Sequence, residues 1–193
     1  MLFLIFCLFL ILYLFIIFKM EESTENIDIV IERKNDIDLS RKEIKEIIFV
    51  YNECFCFNQM NNKAVKMAKN LLAKNNVWEW YLAKLNNKVI GMLSYARNPN
   101  KIKKIKEYDL RIEKGENICS VSVIKKFRKL GIARLLMEQI IDDRGKTTNL
   151  VVEIKRSNPI YYNLAKFYES LGFIETDLDN EGEDNLFLRR NAQ

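Results

Sequence analysis

The sequence predicts an α/β domain built on a mixed, mostly antiparallel central sheet with helices on both faces, preceded by an apolar N-terminal helix. Three observations carry this reading. Residues 1 to 18, MLFLIFCLFLILYLFIIF, hold no charge and no Gly, Pro or Asn. Two apolar runs, VWEWYLAKL and KVIGMLSYA, flank Asn86-Asn87, which marks a hairpin. Beyond the hairpin, strand and helix patterns alternate, as in βαβ units.

The leader comes first. A bilayer core takes about 20 apolar residues, so this run is just long enough to span one. Residues 1–19 therefore read as a single-pass anchor, 20–26 as a polar linker and 27–193 as one domain on the cytoplasmic side. No basic n-region or small-residue cleavage site marks a secretory signal. Lys19 is followed by Glu21 and Glu22, which leaves little positive bias to set orientation. A second reading exists. Met20 opens MEESTENIDIVIERKND like an ordinary soluble N-terminus. Starting there, the chain is a soluble cytoplasmic protein and the apolar run is an upstream extension.

The domain elements follow in order. Ile27–Ile31, I-D-I-V-I, is a short apolar, β-branched run broken by one acidic residue, a strand signal. Ser40 with Glu43 fits a capping box, and Ile44, Ile47, Ile48 and Tyr51 follow at helical spacing. A second helix is expected over Lys63–Ala73, with Ala64, Met67, Ala68, Leu71 and Leu72 on its apolar side. The hairpin comes next, and residues 98–106 form a basic, irregular loop. Ile118–Val123 reads as a strand, a helix runs from about Gly131 through Ile141, and NLVVEI is another strand. A helix over Ile160–Leu171 and two short strands, near Phe173–Leu178 and Asn185–Arg189, close the chain.

Composition removes several function classes. With no histidine, the chain has no His-based triad and no imidazole zinc site. Cys7, Cys54, Cys56 and Cys119 form neither a zinc pattern nor a disulfide framework and read as free thiols. A formal charge of +5 is mild, and NKIKKIK reads as a solvated loop, so no nucleic-acid partner is expected. Trp78 and Trp80 share one strand face and read as core, with an acceptor-site wall as the other option.

The chemistry gathers in ICSVSVIKKFRKLGIARLLMEQII. A strand ends near Val123, a basic turn follows, and a helix opens at about Gly131. A helix N-terminus offers unpaired amides and partial positive charge to an anion. Gly131 has no Cβ to block close approach, and Ala133 keeps the first turn small. Lys125, Lys126, Arg128 and Lys129 add charge around the mouth. The spacing is R-x-x-G-x-A.

This segment resembles the GNAT-type acetyltransferase superfamily, whose central motif is Q/R-x-x-G-x-G/A after a strand ending in an apolar residue, here Val123. The resemblance continues in SNPIYYNLAKFYESLGFIET, where Ala165, Tyr168, Gly172 and Phe173 match the ending of a second motif. It covers roughly residues 27–190 and is sharpest over 118–173.

The resemblance implies a splayed parallel strand pair, acetyl-coenzyme A as donor, an amine as acceptor and no metal. It assigns coenzyme binding to Val121, Val123, Arg128, Lys129, Gly131, Ile132 and Ala133. It gives Tyr168 the protonation of the departing thiolate, a role suited to a phenol of pKa about 10. The family's asparagine has no direct match: the position six before Tyr168 is Tyr162, Asn158 and Asn163 lie near but out of register, and either Asn158 serves or that contact is missing. Candidate bases are Glu116, Glu153 or ordered water; Asn117 stands where many members carry a carboxylate. The acceptor is a protein N-terminus, a lysine or a small amine. A catalytically silent acyl-CoA-binding or interaction module at a membrane is the alternative.

Overall fold

A computed structural model describes residues 28–55, 71–72, 76–96, 118–176 and 185–192. The anchor and linker expected over residues 1–26, the basic loop at 98–106, and Glu116 and Asn117 lie outside these residues. So does most of the helix expected over Lys63–Ala73, of which Leu71 and Leu72 are helical. Among the described residues no helix is long and apolar enough to cross a membrane.

The chain order is β1 (Ile29–Asn35), a 3₁₀ turn at Asp36–Asp38, α1 (Arg41–Phe55), β2 (Trp78–Leu85) and β3 (Lys88–Ala96). There follow β4 (Ile118–Val123), a 3₁₀ turn at Lys125–Phe127, α2 (Ile132–Arg144), β5 (Leu150–Lys155), α3 (Tyr161–Glu169), β6 (Ile174–Glu175) and β7 (Asn185–Arg190). Seven strands make one sheet in the order β1-β2-β3-β4-β5-β7-β6. Every neighbouring pair is antiparallel except β4 and β5.

Local chemistry explains where the early elements begin. The Ser40 amide donates to Glu43 Oε2 at 2.8 Å and the Glu43 amide donates to Ser40 Oγ at 3.2 Å, which closes the capping box of α1. Asn86 and Asn87 both take positive φ, 50° and 58°, as a two-residue hairpin turn with the right twist requires. β1 runs four residues past the expected Ile31. Its polar end, Glu32 to Asn35, stays in register with β2. Arg33 pairs with buried Glu79 across the strands, and Lys84 donates to Glu32 at 2.6 Å. Cross-strand ion pairs replace apolar alternation there. The closing strand expected near Phe173–Leu178 is only two residues long.

Strand alternation puts helices on both faces. On β2, Tyr81 donates to Asp143 of α2 at 3.2 Å, and Arg144 of α2 donates to Glu79 at 2.8 Å. Lys84, of opposite parity, donates to Glu43 of α1 at 2.8 Å. Odd and even positions of a strand face opposite sides, so α1 and α2 sandwich the sheet. Trp78 and Trp80 are buried in the core with Leu71, Leu82 and Met92.

The parallel pair is splayed. One register pair, Ile118 with Val152, joins β4 and β5. Beyond it both strands run on toward their C-terminal ends, to Val123 and Lys155, without further pairing.

Candidate active site

The gap between β4 and β5 exposes backbone. The Ile124 amide donates to Ile90 O on β3 at 3.0 Å. A trans peptide points its carbonyl opposite to its N–H, so the Val123 carbonyl faces away from β3, toward the gap. Antiparallel ladders alternate, so the backbone groups of Val121 face the same way.

The chain then makes a tight turn into α2. Two of its residues are left-handed, Lys129 at φ 67° and Gly131 at φ 78°. Gly131 suits that conformation without a Cβ penalty. A Cβ built at Gly131 would meet nothing within 4 Å, so the position opens onto free space. Gly131 is the N-cap of α2 and no side chain caps the helix. The first intrahelical bond runs from the Leu135 amide to Gly131 O at 3.0 Å. The amides of Ile132, Ala133 and Arg134 therefore have no intrahelical acceptor. Gly91 sets how close this mouth lies to the sheet: a Cβ there would stand 3.2 Å from Ile132 Cγ2 and 3.3 Å from Val123 Cγ2.

A cavity of about 310 Å³ opens at this mouth, lined by Val123, Phe127, Arg128, Lys129, Gly131, Ile132, Ala133, Arg134 and Phe167. Most of the residues given to the coenzyme are thus together in one place. Phe127, Arg134 and Phe167 are additions. Arg134 donates to Ser170 Oγ at 2.8 Å and sits 5.9 Å from the Phe167 ring, which ties the end of α3 beside the start of α2. From Ile118 to Met137 the sequence has five basic residues and no acidic one. Lys125, Lys126 and Lys129 have no carboxylate partner among the described residues.

Three expected residues sit differently from a simple ligand shell. Arg128 folds back: its Nε donates to Val123 O at 3.0 Å and Nη2 lies 3.8 Å from Cys54 Sγ. Tyr168 is buried at 6% exposure, edge-on to Phe167 and Phe173, and its neighbour Phe167 forms the cavity wall. Asn158 accepts the Ile160 amide at 3.1 Å, so its side chain shapes the turn into α3. Cys54 and Cys119 are free and half-buried, and burial pushes the Cys54 thiol up despite Arg128 nearby. Among the described residues no cluster of metal-type side chains exists.

The profile of the acetyltransferase (GNAT) domain matches residues 76–175, more than half of the 193-residue chain. The chain belongs to the GNAT acetyltransferase family: it is an acyltransferase that takes acetyl-CoA as co-substrate. No protein of curated function matches it significantly in sequence. Solved structures share the fold. A Pyrococcus horikoshii protein is 20% identical at TM-score 0.61, covering 86% of this chain and 99% of that one. The ribosomal-protein-S18-alanine N-acetyltransferase of Escherichia coli is 16% identical at TM-score 0.55, covering 85% and 96%. Arabidopsis thaliana Naa50, in complex with the bisubstrate analogue CoA-Ac-MVNAL, is 17% identical at TM-score 0.52, covering 83% and 98%. The mouth fits the anionic part of acetyl-CoA. It has uncapped amides, lysines with no carboxylate partner among the described residues, and open space where a Cβ would lie.

Proposed function

We propose that the enzyme moves the acetyl group of acetyl-CoA to an amine by direct attack in a ternary complex. The acceptor is a protein N-terminus, a lysine or a small amine. The observation that carries this is the uncapped mouth of α2 opening beside the unpaired ends of β4 and β5. The coenzyme supplies an activated acetyl thioester. The amides at Gly131, Ile132 and Ala133, with the Lys129 charge, hold the pyrophosphate. Backbone groups of Val121 and Val123 pair with the extended arm in the gap. The Val123 carbonyl is taken by Arg128 and Cys54, so its N–H is the group left to polarise the acetyl carbonyl.

The amine lone pair attacks the carbonyl carbon and the carbon–sulfur bond breaks. Tyr168 gives its phenolic proton to the departing sulfur. The amine sheds its extra proton to water or Glu153. Holding both reactants in the gap makes the attack effectively unimolecular. Residues 1–18 serve as a membrane anchor, which carbonate extraction of full-length protein checks: release into the soluble fraction removes that assignment.

The test of function is turnover of acetyl-CoA with three amine classes: N-terminal peptides, a lysine peptide and small amines. Turnover with one class names the acceptor. Acetyl-CoA binding without turnover of any would favour the silent module.

A further inference from the structure

We propose that Arg128 is a positioning residue, which holds the coenzyme turn in shape through the end of β4 and does not itself carry the pyrophosphate. The proposal rests on the reading that acetyl-CoA binds at this turn. The last gap-facing carbonyl of β4, that of Val123, receives two donors. Arg128 Nε donates at 3.0 Å and Cys54 Sγ at 3.4 Å. Arg128 Nη2 lies 3.8 Å from the same sulfur. These contacts join three elements: the strand end, the turn and the last turn of α1.

The turn needs such a tie. Arg128 is followed directly by Lys129, a non-glycine residue at φ 67°, a conformation that costs about 1 kcal/mol and persists only where the surroundings impose it. The Arg128 amide donates to Lys125 O at 3.2 Å, so backbone and side chain together fix the residue before the strained one. The amides that face the cavity come immediately after. A guanidinium engaged at Nε on a carbonyl of its own chain keeps its charge but is fixed in orientation by that bond. The charges free to reorient toward an anion are those of Lys125, Lys126 and Lys129.

Covalent structure supplies a clean test. The amide nitrogen of glutamine stands at the same position along its side chain as arginine Nε. Arg128→Gln therefore keeps a donor for Val123 O and loses the charge. Arg128→Lys keeps the charge but has a methylene at that position. The Michaelis constant for acetyl-CoA and the turnover number are measured for both and for Arg128→Ala, over a range of salt.

The expected result is a Michaelis constant raised about tenfold in the alanine variant, from loss of one charged donor on a part-buried carbonyl. Turnover at saturation should match wild type, and the slope of affinity against salt should flatten equally in the alanine and glutamine variants, which both lose the charge. Glutamine should restore affinity to within about threefold, and lysine should not. Rescue by lysine with failure of glutamine would overturn the proposal in favour of a direct charge contact. Normal affinity in all three variants would overturn it too. A separate control guards the underlying reading: if Gly131→Glu still binds acetyl-CoA normally, the site itself is misplaced and the proposal falls with it.

Discussion

The mouth of α2 and the corner where α1 meets β1 and β2 use similar residues to opposite ends. In the corner, the Glu43 carboxylate accepts from Lys34, Lys84 and the Ser40 amide, the Glu43 amide donates to Ser40 Oγ, and Glu32 accepts from Lys84. Each charge there is matched inside the chain, as partial burial demands. At the mouth, Lys125, Lys126 and Lys129 are exposed and have no carboxylate partner among the described residues. An exposed lysine pays little for lacking a partner. Its field remains available to an anion from solution. The corner is built to hold the fold and the mouth to receive a ligand, so substitutions in the two should separate stability from function.

The largest effect is expected at Tyr168. Tyr168→Phe keeps the ring contacts with Phe167 and Phe173, so the melting temperature should change little. Losing one positioned proton donor costs about 10²- to 10⁴-fold in turnover. The dissociation constant for acetyl-CoA should stay near wild type. Wild-type turnover in this variant would make Tyr168 a packing residue and leave reprotonation to water.

Gly131→Glu comes next. It sets a carboxylate in the open space at the helix mouth, against the amide ends that favour an anion. Like-charge contact of this kind costs several kcal/mol, so affinity for acetyl-CoA should fall at least about 100-fold. The left-handed φ of 78° adds about 1 kcal/mol of strain, seen as a loss of a few degrees in melting temperature. Retained affinity by calorimetry in a folded variant would remove the turn from the coenzyme site.

Much of this was legible in sequence where the determining chemistry is local. Ser40 and Glu43 cap a helix three residues apart, Asn86-Asn87 turns a hairpin, and Gly131 opens a helix after a strand. These features need no knowledge of distant neighbours. The unreadable parts depend on long-range contacts. β1 continues through Glu32–Asn35 because β2, more than 40 positions away, supplies Glu79 and Lys84. Arg128 turns back toward Cys54, 74 positions earlier, and nothing in the motif announces that thiol. Phe167 walls the cavity because Arg134 of α2, 33 positions earlier, meets its ring and Ser170 and so places the end of α3 beside the mouth.

The corner yields the third prediction. Burial alone would raise the Glu43 carboxyl. Hydrogen bonds from Lys34, Lys84 and Ser40 outweigh it and hold the group far below the ordinary carboxylate range. A depressed folded pKa means the stabilisation is full above the unfolded value and is lost as pH falls toward the folded one. Glu43→Gln should therefore destabilise the protein by about 2 kcal/mol at neutral pH. It should also flatten the decline in stability below about pH 4.5. Acetyl-CoA affinity should not move. An unchanged acid limb in chemical denaturation would show that Glu32 and Lys84 hold the corner without Glu43.

Lys129 gives the smallest and sharpest test, because it joins the strain and the free charge of the mouth in one residue. Asparagine tolerates the left-handed region better than lysine and carries no charge. Lys129→Asn should leave the melting temperature unchanged or raise it slightly, since a strained backbone position is eased. An exposed cation acting on an exposed anion is worth at most about 1 kcal/mol, so affinity for acetyl-CoA should drop about threefold. The dependence of that affinity on salt should become shallower, because screening then acts on one fewer charge. Corner residues cannot produce this pairing of slightly higher stability with weaker, less salt-sensitive binding, since removing a matched charge there lowers stability first. If Lys129→Asn binds acetyl-CoA as wild type does, with the same salt slope, the lysines of the mouth are ordinary surface charge. The amides of α2 would then hold the anion without them.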